Sequence, residues 1–247
     1  MEDQSASILT APAPLQYYPL GDNAIVINFG NSISRELHQT IQAFIALLAQ
    51  NPLHGIIEWV PAYTTLTVYY DPWLLSDHGR QLPHTKLTQH LSSLAAELKP
   101  DQPVQGRLID IPVCYGGKYG PDLEIVASYH KISPEEVIIL HSQQEYMVHM
   151  IGFAPGFPYL GGLNPKIATP RKETPRQHVP AGSVGIAGLQ TGIYPLATLG
   201  GWQILGQTPL VLFDPKRQPP SLLQAGDRLR FTPVSAEELH QKIERQA

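Results

Sequence analysis

The sequence predicts an α+β N-terminal domain of ferredoxin-like order over residues 1–102, followed by a mainly β domain over residues 103–247. Three observations predict it. Strand-like and helix-like periodicities over the first hundred residues follow the order β-α-β-β-α-β. From Gly152 to Pro220 there are eleven glycines and eleven prolines in 69 residues without a repeat period, which excludes collagen and implies many fixed turns between short β segments. Between these textures, the Pro100 to Pro103 segment (PDQP) is the best boundary.

Taken in order, AIVINF (Ala24 to Phe29) is a strand candidate. Ile33, Leu37, Ile41, Phe44, Ile45 and Leu48 then recur at helical spacing behind a Ser32 cap. GIIEWV (Gly55 to Val60) and TLTVYY (Thr65 to Tyr70) flank Pro61-Ala62, as for two strands joined by a short turn. Leu87, Leu91, Leu94 and Leu98 form a narrow helical stripe, and RLIDIPVCY is the sixth element, a strand that reads with either domain. Beyond it, GPDLEIVASYH and SPEEVIILH predict helices, with Pro121 at the first position of one and Ser133, Pro134 and Glu136 making a capping box on the other. EYMVHMIGF, SVGIAGL, WQILG and PLVLF predict strands, and SAEELHQKIERQA a solvated helical tail.

Composition narrows the function classes. A chain of 247 residues with 43% hydrophobic and 15% charged side chains can bury a core and is too apolar to be disordered. No apolar run approaches the ~18 residues of a membrane span, and the opening MEDQSASILTAPAP lacks the basic and apolar regions of a secretory leader, so the expectation is a soluble cytoplasmic protein. A net charge of −4 leaves no broad footprint for nucleic acid. The lone Cys114 excludes an internal disulfide and a cysteine zinc cage, and the histidines lack ligand spacing, so no metal is expected. There is no P-loop, no HExxH and no GxSxG elbow.

Chemistry is concentrated in GFAPGFPYLGGL (Gly152 to Leu163), TPRKETPRQHVPAGSVGIAGLQTGIYP (Thr169 to Pro195) and GGWQILGQTPL (Gly200 to Leu210). From Ile151 to Phe213 the only charged side chains are Lys166, Arg171, Lys172, Glu173 and Arg176. Arg171 and Arg176 each follow a proline, so a restricted backbone presents guanidinium groups suited to two-pronged capture of a carboxylate or phosphate. The same residues read equally as a solvated loop of surface charges. Ala181, Gly182 and Ser183 offer small side chains and main-chain N–H groups that suit an anion nest, or a plain turn. Phe153, Pro155, Phe157, Tyr159 and Trp202 supply flat apolar surface for a pocket wall or for core packing. Gln190 and Tyr194 are neutral groups able to orient a polar ligand, Gly201 lets it approach the backbone, and His178 is the acid–base candidate of the loop.

These motifs strongly resemble the family of 5-oxoprolinase B subunits, also known as allophanate hydrolase subunit 1 and as a sporulation kinase inhibitor family. The resemblance extends from PLGDNAIVINFG (Pro19 to Gly30), through EWVPAYTTLTVYYDP and IPVCYGGKYGPDLE, to PPSLLQAGDRLRF (Pro219 to Phe231), nearly the whole chain. Where that family usually carries a proline before Gly-Gly-Trp, this chain has Leu199. The resemblance implies a small α+β domain followed by a cyclophilin-like β-barrel that pairs with a second barrel in another protein of the complex. It also implies joint action with 5-oxoprolinase subunits A and C in ATP-dependent opening of 5-oxoproline to glutamate. Related domains occur fused in urea-degrading enzymes. The alternative it implies is a non-catalytic module that grips a sporulation histidine kinase.

Overall fold

The computed structural model describes residues 15–98 and 106–244 of the chain. It forms two compact units, Met1–Pro103 and Val104–Ala247. The PDQP segment and the MEDQSASILTAPAP opening lie outside the described residues.

The N-terminal unit runs β1 (Gln16–Pro19), β2 (Ala24–Asn28), α1 (Arg35–Gln50), β3 (Ile56–Pro61), β4 (Thr65–Tyr70), the single turn α2 (Pro72–Leu75) and α3 (Pro83–Ala96). Its sheet has the order β1-β2-β4-β3 with every neighbouring pair antiparallel. Period-2 alternation buries Leu66, Val68 and Tyr70 of β4, and helical spacing turns Ile41, Phe44 and Leu48 of α1 and Leu87 and Leu91 of α3 into the same core. Each such side chain removed from water stabilises the unit by about 1.5–3 kcal/mol. Two expectations change. Ser34, not Ser32, caps α1, accepting from the Leu37 N–H at 3.1 Å. RLIDIPVCY does not complete this sheet, because β1 already occupies the free edge of β2.

That strand instead becomes β5 (Leu108–Tyr115) of the second unit, which continues through α4 (Leu123–His130), α5 (Pro134–Ser142), β6 (Glu145–Ile151), β7 (Pro158–Gly161) and a 3-10 turn at Pro165–Ile167. It is completed by β8 (Arg176–Val179), β9 (Ser183–Ala187), β10 (Gln190–Ile193), β11 (Thr198–Gly200), β12 (Gln203–Gln207), β13 (Arg228–Pro233) and α6 (Ala236–Glu244). Seven strands close a barrel in the order β10-β7-β6-β13-β5-β12-β9, while β8 and β11 make a separate two-stranded sheet. Closure leaves the barrel no unpaired edge strand. Ser133 caps α5 as its sequence predicts, accepting from the Glu136 N–H at 3.1 Å. For α4 the cap position falls to Asp122, so Pro121 precedes the helix and is not its first residue. PLVLF forms no strand; its Phe213 makes only an isolated bridge to Ser221.

A polar relay crosses the barrel wall. The Thr191 hydroxyl donates to the Gly185 carbonyl at 3.0 Å, so it accepts from His141 Nε2 at 3.0 Å, and His141 Nδ1 in turn accepts from the Tyr115 hydroxyl at 2.8 Å. Burial lowers the His141 pKa to about 3, which fixes the ring as neutral.

Candidate functional site

A pocket of about 240 Å³ opens beside the two-stranded sheet, lined by Phe153, Phe157, Tyr159, Arg171, Pro175, Tyr194, Leu199, Gly200, Gly201 and Trp202. Distant elements of the second unit build it. The turn before β7 supplies Phe153 and Phe157, and β7 itself supplies Tyr159. The chain after β10 brings Tyr194, β11 brings Leu199 and Gly200, and the approach to β12 brings Gly201 and Trp202.

Phe157 is the hub of the wall. Its ring meets Phe153, Tyr159, Tyr194 and Trp202 edge-on, with centroids 5.0 to 5.4 Å apart, the arrangement aromatic quadrupoles prefer. Glycines make the room: a Cβ on Gly192 would lie 2.9 Å from the Phe157 ring, and one on Gly200 2.5 Å from the Tyr194 hydroxyl oxygen. Phe153 has a φ of 67° and is 66% exposed. A bulky residue in left-handed backbone is strained, and here the strain projects the ring over the opening. Inside the turn, Ala154 donates to the Gly152 carbonyl at 2.8 Å and Phe157 to the Ala154 carbonyl at 3.0 Å.

Tyr194 is the buried polar group of the wall. Burial raises its pKa; the Trp202 backbone N–H bonded to its oxygen and the charges of Arg171 and Arg176 oppose that rise without overcoming it. The phenol therefore remains neutral and able to donate. Arg171 lies at the rim on an exposed stretch and forms no ion pair among the described residues. The Gln203 amide anchors one neighbour, donating to the Pro170 carbonyl at 3.0 Å, and the Lys172 N–H donates to the Gly201 carbonyl at 2.7 Å on the other side.

Thus Phe153, Phe157, Arg171, Tyr194, Gly201 and Trp202 of the sequence-derived candidates meet in one place. The others do not line it. Arg176 pairs with the fully buried carboxylate of Asp122 at 2.6 Å through Nη2 alone, and its Nη1 has no hydrogen-bond partner. The two-pronged contact expected of it is therefore not made. The anion nest is also absent: the Gly182 N–H donates to the Tyr194 carbonyl at 2.7 Å and the Ser183 N–H to the Pro180 carbonyl at 3.3 Å. Gly182 is required there for another reason, since its φ is 80° and a Cβ would fall 2.4 Å from the Thr208 carbonyl. His178 stands exposed on β8, Pro155 and Ala181 are exposed in their turns, and Gln190 begins β10.

Sequence reasoning missed Asp122. Its Oδ1 accepts from Arg176 and from Lys172 Nζ at 3.2 Å, and its Oδ2 from the Ile204 N–H at 2.7 Å. Burial alone would raise its pKa, yet the Arg176 bond, the Ile204 N–H and Lys172 together hold the carboxyl below the usual value. Nothing in the order of residues joins position 122 to positions 50 and 54 further on. The available signal was three cations on one loop with Glu173 as their only acidic neighbour.

The same features recur in the proteins this chain is similar to. The carboxyltransferase domain, subdomain C and D, matches residues 15–223. The B subunit of 5-oxoprolinase from Bacillus subtilis (strain 168) is 48% identical over 228 residues, covering 91% of this chain and 95% of that protein. Its counterpart of the same name in Haemophilus influenzae is 45% identical over 213 residues, 86% of this chain and 95% of that protein. The crystal structure of TTHA0988 superposes with a TM-score of 0.74 at 38% identity over 86% of this chain, which spans 40% of that longer protein.

Proposed function

The chain belongs to the carboxyltransferase-domain family, subdomains C and D, and within it to the group of 5-oxoprolinase B subunits, and from that premise we propose that it is the B subunit of a complex that hydrolyses 5-oxoproline to glutamate. Identity of 42 to 48% to three proteins bearing that name, across most of their length, supports this reading. The observation in the fold that carries it is the pairing of an aromatic pocket with Arg171 at its rim. A flat five-membered lactam fits against Phe157, Tyr159 and Trp202, its carboxylate faces the guanidinium, and the neutral Tyr194 hydroxyl points a donor at the ring amide or its oxyanion.

The reaction in this reading depends on ATP and on partner subunits A and C, as the family resemblance implies. The pocket residues do not fit a triphosphate: Arg171 is the rim's one cation, and the Gly182 and Ser183 N–H groups are committed to the fold. ATP binding and phosphoryl chemistry are therefore assigned to the partners, and the task of this chain is to bind and orient the lactam. Inactivity of the chain by itself follows, because the pocket holds no nucleophile paired with a base.

The N-terminal unit reads as a ferredoxin-like domain whose edge strand comes first in the chain; the sheet order β1-β2-β4-β3 and the helices α1 and α3 in one core support that. The closed seven-stranded barrel supports a cyclophilin-like second domain. No helix among the described residues is long and apolar enough to cross a membrane, and a reaction fed by ATP is placed in the cytoplasm. The kinase-binding alternative is not carried forward. The test is reconstitution: glutamate formation from 5-oxoproline and ATP should require this chain together with both partners, and turnover by the partners without it would refute the assignment.

A further inference from the structure

We propose that Asp122 is a positioning residue for the pocket: its buried carboxylate clamps the loop from Pro170 to Arg176 and thereby fixes Arg171 at the rim. This rests on the reading of the pocket as the 5-oxoproline site. Four observations meet at one side chain. Asp122 is fully buried, although it is an acid. It is bound to β12 twice, since its backbone N–H donates to the Ile204 carbonyl at 3.0 Å while its Oδ2 accepts from the Ile204 N–H at 2.7 Å. The turn that delivers it, Gly-Gly-Lys-Tyr-Gly-Pro-Asp from Gly116, lies so close to β12 that a Cβ on Gly120 would fall 1.9 Å from the Leu205 carbonyl oxygen. Its Oδ1 then takes both Lys172 and Arg176.

The consequence for Arg171 is geometric. Residue 170 is tied to Gln203, residue 172 to Gly201 and to Asp122, and residue 176 to Asp122. The backbone on both sides of Arg171 is therefore anchored to the segment from Gly201 to Ile204, which also carries Trp202 of the pocket wall. Electrostatics point the same way. Lys172 and Arg176 spend their charge on Asp122, which leaves Arg171 as the loop's cation free to meet an anionic ligand. The glycine-rich turn, which the pocket itself does not use, gains a role as the bracket that inserts Asp122.

The test combines loop exchange with a double-mutant cycle in the assembled complex. Asp122→Asn should speed amide exchange across residues 169–179 and lower kcat/KM for 5-oxoproline about a hundredfold, the scale of a misplaced binding group. Lys172→Met, which removes one strut from the partly exposed side, should do both to a smaller degree and guards against misfolding of the first variant. In an Arg171→Ala background, Asp122→Asn should then have almost no further effect on kcat/KM, because the two act through one contact. Unchanged exchange in both clamp variants, or the same fold-loss with and without Arg171, would overturn the clamp. A silent Arg171→Ala with altered exchange in the clamp variants would instead sink the reading of the pocket.

Discussion

Phe157 meets Trp202 edge-on at 5.4 Å between ring centroids, with the two planes at 89°. The contact joins the turn before β7 to the start of β12, so the pocket wall and a local core are the same group of rings. Phe157→Ala should therefore cost about 3–5 kcal/mol, measured by urea unfolding, because it empties a buried site. Phe153→Gly should leave stability within about 1 kcal/mol, since glycine accepts the left-handed backbone that strains Phe153, while still stripping the ring from over the opening. A large stability loss in Phe153→Gly would show that the exposed ring is packing and not pocket.

Acid should weaken the fold through His141. Its pKa falls from the ordinary 6.5 to about 3 on folding, so the unfolded chain takes up a proton that the folded chain refuses. The neutral ring contributes stability fully above pH 6.5, and this is lost as pH drops toward 3 at up to about 1.4 kcal/mol per pH unit. His149, also lowered by burial, adds in the same direction. Unfolding free energies measured at about pH 7.5 and about pH 5 should differ less in His141→Gln than in the unaltered chain. Equal differences would show that His141 is not a source of the acid sensitivity.

Gly200→Ala should be poorly tolerated. The new methyl would lie 2.5 Å from the Tyr194 oxygen and 2.9 Å from Val179, and overpacking of this kind costs about 1–3 kcal/mol. Tyr194 would have to move, so binding of 5-oxoproline by the complex should weaken as well. A normally stable, fully active Gly200→Ala would show that Tyr194 has room to spare.

Among the loop cations, Arg176→Ala should reduce complex activity more than Lys172→Ala, because Arg176 approaches Asp122 at 2.6 Å and Lys172 at 3.2 Å. Arg176→Lys should recover part of the loss, since only one nitrogen of the guanidinium reaches the carboxylate. Complete failure of the lysine variant would restore the two-pronged role that the sequence suggested.

Local features were legible in the order of residues because they depend on near neighbours. TLTVYY is β4 residue for residue, and Ser133 caps α5, since alternation and capping act within a few positions. The cap on α1 was misplaced by two residues because two serines stand before the first turn. What failed was pairing over distance. RLIDIPVCY has the same pattern in either sheet, and only β13, 120 positions further on in register, draws it into the barrel. The same holds for the site. Aromatic residues in one Gly/Pro-rich stretch foretold a pocket wall, but Arg171 and Arg176 look alike in sequence and are separated only by Asp122, which binds one and leaves the other.

The most direct measurement is the rate of glutamate formation from 5-oxoproline and ATP by the three-subunit complex carrying Arg171→Ala in this chain, after checking assembly and thermal unfolding. The expected result is a loss of about 3 kcal/mol in kcat/KM, near a hundredfold, for a charge-assisted contact removed from the bound carboxylate, with the chain alone inactive in either form. Turnover equal to that of the unaltered complex would contradict the assignment and remove this pocket from the reaction.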